Sequence, residues 1–267
     1  MTRRRAEDYD AIFCKIEALL PAPRVMAIVS DFEIALWKSV QRLNANREAR
    51  NLPLIKHHGC GFHWAQAIMK KLRDIGKYIA YCNGGPVKET VSKIFCLPYL
   101  PAQEIGENFE FIKNNCTDAT LDPLFDYISR NWINGRCWSP ESWSGFGMAI
   151  RTNNDAEGLH NRWMRAGKAV KLTFYRLSQL IFKEASMLPV QIKLVSHNKL
   201  IQAQKATTIN KEQLVYELWD KYNTNIINSN ELLLELTQVI KPNCPIEIDR
   251  PEDDYDMYDE LLLDLET

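Results

Sequence analysis

The sequence predicts an α/β fold, because short apolar runs typical of buried strands alternate with stretches of helical periodicity. Residues 25–29 (VMAIV) are continuously apolar, as expected of a strand that is covered on both faces. A helical pattern over 6–20 precedes this run, and another begins at Phe32. A weaker second strand is predicted at 52–55, followed by a helix through about Leu72. The order helix, strand, helix, strand, helix indicates α/β layering.

Residues 84–150 are predicted to form a helical insertion, because prolines and glycines divide this stretch into short helical segments. The predicted helices of the insertion cover 86–96, 101–115 and 120–132. A loop rich in tryptophan and glycine follows them. We therefore expect the insertion to separate the predicted strands from the helix that comes after it.

The rest of the chain is predicted to be mostly helical. A helix from Asp155 to about Ala166 precedes a longer one over 173–206, in which Pro189 predicts a kink or break. Helical structure is predicted to continue over 210–240. The sequence thus predicts an α/β domain at 1–170 that holds the insertion. A helical C-terminal extension follows at 171–240, and an acidic, disordered tail at 241–267.

Charge is distributed unevenly, although the net charge is only −1. Residues 246–267 hold ten acidic residues and one arginine, whereas the rest of the chain has 24 acidic and 32 basic residues. A basic body suits a polyanion such as DNA, but charge of this size is also common on soluble proteins. The acidic and partly apolar end suits docking on a protein partner, but it is also typical of plain disorder.

The composition disfavours membrane-spanning and secreted proteins. The longest apolar runs are far shorter than a membrane span, so no membrane partner is expected. Glu7 and Asp8 stand where the apolar core of a secretory signal would begin. The seven cysteines are odd in number and widely spaced, so we expect reduced thiols rather than a disulfide framework. These features predict an intracellular globular protein.

The first predicted strand is followed by the motif Ser30-Asp31-Phe32-Glu33. In α/β folds the carboxyl end of a parallel strand is where ligand and metal groups lie, which makes Asp31 a candidate ligand. The spacing Ser30-x-x-Glu33 also matches a capping box, in which the two side chains only begin the next helix. From spacing alone, the capping interpretation is favoured.

Two further motifs combine residues that can bind metals. Cys60 and His63 are three residues apart and could share one ion, but zinc needs four ligands and no second closely spaced pair follows. We therefore do not expect zinc. Glu157 and His160 fall on one face of a predicted helix and could point at one site. Asn154-x-x-Glu157 also matches a capping box.

The order of these motifs resembles the transposases of Mutator-like elements (MULEs). That family has a strand ending in Ser-Asp-x-Glu, a Gly-Cys-x-x-His-Trp block, and a helix with Asn-Asn-x-x-Glu-x-x-His. Here the three motifs stand at 30–33, 59–64 and 153–160, and the resemblance spans roughly residues 6–165. The resemblance implies an RNase H-like DDE domain in which three acids hold two divalent metal ions, Mg²⁺ or Mn²⁺, that cut and transfer DNA strands.

The resemblance assigns Asp31 to the second acid and Glu157 to the third, as catalytic residues and metal ligands. Cys60, His63 and His160 would support the site. The first acid belongs to an earlier strand, for which the residues before the opening helix are too few. We therefore expect an incomplete RNase H-like core with its first strands missing. Two acids hold a metal pair poorly, so little or no strand transfer is expected from this chain alone.

A second hypothesis is a transposase-derived protein that binds DNA without cutting it. Its candidate phosphate contacts are two basic clusters on predicted helices, formed by Lys70, Lys71, Arg73, Arg162, Arg165 and Lys168. Such clusters are also typical of solvated helix faces. A third hypothesis is an interaction module that uses the acidic tail, and a truncated gene copy is a further alternative. A relative of eukaryotic transposases would be nuclear.

Overall fold

The computed structural model describes residues 5–20, 25–152, 154–167, 172–196 and 206–240. The protein is mostly helical (73% helix), and the sheet in these ranges has two parallel strands. The α/β prediction is thus confirmed only for one small unit of strand, helix and strand. A sheet of this size does not identify an RNase H-like core, which stays a prediction.

Up to Asp74, the described residues form two strands and three helices. These elements are α1 (Ala6–Leu19), β1 (Ala27–Ser30), α2 (Ile34–Ala49), β2 (Lys56–Gly59) and α3 (Gly61–Asp74). The strands pair in parallel, with Ala27 opposite Lys56 and Ser30 opposite Gly59. Helix α2 is the crossover between them, and α1 packs on α2. Because both strands point the same way, β1 and β2 end at the same edge of the sheet.

A buried arginine holds the crossover helix in place. Arg47 of α2 is only 1% exposed, and its Nε donates a hydrogen bond to Glu17 of α1 at 2.6 Å. Its Nη1 donates to the backbone carbonyls of Val25 and Pro53, at 2.9 and 3.1 Å. A buried guanidinium needs partners of this kind to offset its lost hydration. Arg47 therefore ties α1 to the segments that lead into both strands.

The second strand lies at Lys56–Gly59, so the prediction of a strand at 52–55 is wrong. The backbone N–H of Ile55 donates to Asn44 Oδ1 at 2.8 Å, and Asn44 Nδ2 donates back to the Ile55 carbonyl at 2.9 Å. The Asn44 side chain, which belongs to α2, thereby satisfies the backbone N–H and carbonyl of Ile55. These groups are then not available for pairing in the sheet. Pairing with β1 begins one residue later, in a polar segment that has no strand-like sequence pattern.

The predicted insertion is helical, as expected. It contains α4 (Tyr78–Asn83), α5 (Pro86–Cys96), α6 (Ala102–Asn114), α7 (Asp122–Ile128) and α8 (Pro140–Trp143), with shorter turns at Leu97–Tyr99, Ala119–Leu121 and Ser129–Ile133. Apolar faces of these helices close over α3 and form the main core. Fully buried members include Val91, Ile94, Ile105, Phe109, Leu124 and Ile128.

The C-terminal helices are α9 (Asn154–Gly167), α10 (Phe174–Ser196), α11 (Ala206–Asn223) and α12 (Ser229–Val239). Helix α12 packs against α5 and α6, so its buried leucines share the core of the insertion. Helix α10 continues through Pro189, so the chain does not break there. Within the described ranges, no helix is both long and apolar enough to cross a membrane.

The tryptophan-rich loop packs the insertion onto the sheet. The Phe32 ring lies at the end of β1, with its centroid 4.6 Å from that of Trp132 and 5.5 Å from that of Trp138. Trp64 of α3 stacks on Trp143 at 5.3 Å. Aromatic pairs of this geometry stabilise a fold by about 0.5–1.5 kcal/mol each beyond their area. We call these five residues the aromatic cluster.

Five of the described cysteines are free thiols, as expected, and Cys82 is the exception because it is disulfide-bonded. The number and spacing of the cysteines did not predict that bond. Cys60 and Cys96 are fully buried. Burial raises the pKa of the Cys96 thiol to about 12, so it stays protonated at neutral pH and acts as a core residue.

We predict that Gly59→Ala destabilises the protein by about 1–3 kcal/mol, because the new methyl group would overpack the aromatic cluster. A Cβ at Gly59 would lie 2.1 Å from Cε1 of Phe32. Gly106→Ala in α6 is the matched control, since a Cβ there meets nothing within 4 Å. The control should be neutral or up to about 1 kcal/mol more stable. Urea unfolding of both variants checks this, and unchanged stability in Gly59→Ala would contradict the packing.

Candidate functional site

Backbone hydrogen bonds bring the segments of the three motifs together at the end of the sheet. The N–H of Cys60 donates to the Ser30 carbonyl at 2.7 Å, and the N–H of Gly61 donates to the Arg151 carbonyl at 2.9 Å. Ser30 belongs to the first motif, Cys60 and Gly61 belong to the second, and Arg151 lies two residues before the third. Segments that are far apart in the sequence are therefore neighbours in the fold.

Local structure explains why these residues meet. Cys60 is the extended N-cap residue of α3, directly after β2 ends, so its backbone still pairs with the end of β1. Gly61 opens α3 with its N–H free of the helix's own bonds, as the first N–H groups of any helix are. The Arg151 carbonyl satisfies that donor. A Cβ at Gly61 would lie 3.3 Å from the same carbonyl oxygen, so a glycine allows the close approach.

Ser30 does not cap α2, so the capping-box interpretation of the first motif is wrong. The N-cap is Glu33, and no side chain accepts a capping bond there. Ser30 Oγ donates instead to the Asp31 carbonyl at 3.0 Å and lies 2.7 Å from Nε2 of His57. The Glu33 carboxylate accepts a hydrogen bond from the Tyr9 hydroxyl at 2.9 Å. Both polar side chains thus serve contacts between elements.

His57 of β2 contacts Ser30 of the first motif, which its place in the sequence does not reveal. Its ring stacks on Trp37 with 3.8 Å between centroids. Burial, together with the nearby His58, lowers the pKa of His57 to about 4, so the imidazole is neutral at pH 7. The Trp37 indole N–H donates to the Asp31 carbonyl at 2.9 Å. Two donors, Ser30 Oγ and Trp37 Nε1, therefore fix the backbone that carries the Asp31 carboxylate.

The residues assigned by the resemblance differ in their surroundings. Asp31 is half-buried at the strand end, Cys60 is fully buried, and His63 is half-buried in the first turn of α3. His160 is exposed on α9. Glu157 belongs to α9, but its side chain lies outside the described residues. The closeness of the Asp31 and Glu157 carboxylates therefore stays a prediction, as does the capping box at Asn154.

The described residues do not by themselves form a metal site. Across the described ranges, no group of three or more His, Cys, Asp or Glu side chains is placed to hold a metal ion. Of the two assigned acids only the Asp31 side chain is described, and one carboxylate does not hold Mg²⁺ or Mn²⁺. Cys60 and His63 likewise lack two further described ligands for tetrahedral zinc.

Arg151 anchors the segment that leads into α9. Its side chain is 13% exposed and forms an ion pair with Glu212 of α11. The guanidinium carbon lies 5.3 Å from the Tyr99 ring centroid and 5.4 Å from that of Trp219, within cation–π range. Nη1 donates to the Met148 carbonyl at 2.9 Å. The side chain thus holds this segment against the insertion and α11 while its carbonyl reaches Gly61.

The first basic cluster is partly engaged within the fold. Lys71 Nζ lies 5.7 Å from the Tyr127 ring centroid, and the Arg73 guanidinium lies 4.7 Å from that of Tyr78. Lys70 is half-buried beside them on α3. Cations over aromatic faces keep their charge, yet their geometry is set by the ring. The α3 cluster is therefore less free to follow a DNA backbone than a solvated helix face would be.

The second basic cluster is more accessible. Arg162 and Arg165 are both exposed on α9, and Arg162 donates to Glu184 of α10 at 2.5 Å. An exposed ion pair of this kind contributes little to stability, so the arginine can exchange partners at low cost. Lys168 lies outside the described residues. The accessible arginines follow the third motif on the same helix.

Comparison with protein-family models, with curated protein sequences and with solved structures gives no match for the chain. The resemblance to Mutator-like transposases thus depends on the three motifs and their order.

We predict that His57 contributes a pH-dependent part of the stability. Its pKa of about 4 in the folded protein lies below the ordinary 6.5, so this contribution is complete above pH 6.5 and is lost as the pH falls towards 4. Between pH 7 and 5 the wild type should lose about 1–2 kcal/mol more than His57→Gln. Urea unfolding at both values measures the difference, and parallel pH profiles would show that His57 does not titrate this way.

Proposed function

We propose that the chain derives from a Mutator-like transposase and binds DNA, with the strand-cleaving chemistry of that family weak or lost. The observation that carries this proposal is the pair of backbone hydrogen bonds from Cys60 to Ser30 and from Gly61 to Arg151. The first bond continues the parallel pairing of β1 and β2, and the second brings the residues just before the third motif to the start of α3. A shared site at the carboxyl ends of parallel strands would require this arrangement.

The proposed site residues are Asp31 and Glu157 as metal ligands, with Cys60, His63 and His160 in support. Bound Mg²⁺ or Mn²⁺ would supply the chemistry of strand cleavage, by activating a water molecule or a 3′-hydroxyl and stabilising the leaving oxygen. The described residues do not complete such a site, so we derive no catalytic step. Within the chain, Ser30 and Trp37 orient the Asp31 backbone through its carbonyl.

DNA binding without cleavage is favoured by the charges outside the tail. Residues 1–245 hold 32 basic and 24 acidic residues, and Arg162 and Arg165 are exposed beside the third motif. Contacts of this kind go to phosphates and carry no base specificity, so binding should weaken steeply with salt. A protein partner for the acidic tail and a nuclear location remain proposals of lower rank, since the tail lies outside the described residues.

The test is retention of supercoiled plasmid by the full chain over a range of salt concentrations. We expect retention that falls with salt and is weakened by the double variant Arg162→Ala, Arg165→Ala, with a salt slope lower by about two. The double variant Lys15→Ala, Lys38→Ala removes two exposed charges from α1 and α2 and is the matched control. Retention that is absent at low salt, or equal loss in both variants, would contradict binding through α9.

The same samples report cleavage when Mg²⁺ or Mn²⁺ is added. We expect little or no nicking by the wild type. Nicking that disappears in Glu157→Gln and persists in Glu48→Gln, an exposed change of the same charge on α2, would establish the catalytic ancestry and overturn the expected inactivity. Nicking that survives Glu157→Gln would point to a contaminating nuclease.

A further inference from the structure

Helix α10 exposes a long apolar stripe beside the face that contacts α9. Its extensive contacts among the described elements are with α9 and include the Arg162–Glu184 pair. The stripe is uncovered: Phe174 is 76% exposed and Ile192 is 66% exposed. Exposed apolar side chains that are scattered need no explanation, whereas a continuous stripe marks an interaction surface.

The spacing of this stripe is that of a helix that packs on another helix. Successive residues of the stripe are alternately four and three positions apart. They are Phe174, Ser178, Ile181, Ala185, Leu188 and Ile192. This is the heptad spacing at which two helices interlock their side chains. Two further exposed aromatics, Tyr175 at 81% and Phe182 at 77%, flank it on one side. We call these eight residues the α10 seam.

We propose that the α10 seam is the interface with a second copy of this chain, in which two α10 helices pack side by side. The seam runs over about 27 Å of helix, from Phe174 to Ile192. Each of the three exposed aromatic side chains can bury about 150–250 Å² of surface. Together with the aliphatic side chains they would bury on the order of 700 Å² per copy. A stable interface needs roughly 800 Å² per partner, so two copies match.

A second copy fits the seam better than the acidic tail does. The apolar part of the tail, 257–265, has half the length of the seam and carries three acidic residues. A second α10 instead presents the same apolar spacing over the full length, and an isologous pair is self-complementary by symmetry. The basic residues Arg176 and Lys183 lie on the opposite side of α10 from the stripe, and Lys193 lies at the C-terminal end of the row that Tyr175 and Phe182 form. This inference does not depend on the proposed function.

Sedimentation equilibrium of the full chain at several concentrations tests the proposal. We expect the mass to rise from 30.9 kDa towards twice that value. Ile181→Glu should weaken association at least tenfold, since it places a charge at the centre of the seam. Ile79→Glu is the control, because Ile79 is 72% exposed on α4 and should leave the dimer intact. A wild type that stays monomeric at high concentration would overturn the proposal, as would equal weakening in both variants.

A gain-of-affinity variant keeps the test decisive if Ile181→Glu fails to fold. Ser178 is the one small polar residue of the seam, so Ser178→Leu should strengthen association several-fold. Ser186→Leu adds the same side chain to α10 outside the seam and should not. Deletion of 246–267 shows whether a second copy or the acidic tail occupies the seam. If the tail covered the seam, its removal would create or strengthen self-association, and that result would overturn the proposal; unchanged association supports it.

Discussion

The fold depends on the contact between the Phe32 ring and the backbone of Gly59. Both residues lie at the ends of the paired strands, and no side chain other than hydrogen fits between them. The ring therefore covers the end of the sheet. It also makes T-shaped contacts with Trp132 and Trp138, which belong to the insertion. One close approach thus joins the two-stranded unit to the helical core.

Local patterns predicted the helices well, because their determinants lie within each segment. The helices at Pro86–Cys96 and Ala102–Asn114 agree with the prediction to within a residue, since proline and apolar periodicity mark both. Strand β2 was misplaced for the opposite reason. A polar segment becomes a strand because β1 is available to pair with it, while Asn44 diverts the apolar segment before it. A strand of four residues carries too little pattern to reveal its partner.

The same distinction applies to the site. Motif order led to the expectation that the three segments share a function, and the bonds at Cys60 and Gly61 agree with that expectation without testing the chemistry. Roles that depend on distant partners were missed. The spacing of Ser30 matches a local helix cap, but its hydroxyl instead lies 2.7 Å from Nε2 of His57 on the neighbouring strand. The anchoring role of Arg151 requires Tyr99, Trp219 and Glu212, which no spacing along the chain brings together.

We propose that the three motif segments surround one divalent-metal position. Titration of the ¹⁵N-labelled full chain with Mn²⁺ tests it directly, because a bound paramagnetic ion broadens the amide signals near it. We expect the signals of Asp31, Cys60, Gly61 and Arg151 to broaden together at one Mn²⁺ concentration, and Asp31→Asn to abolish the effect. If these four signals stay sharp while Mn²⁺ broadens others, or if they broaden equally in Asp31→Asn, the motifs are neighbours without a metal site.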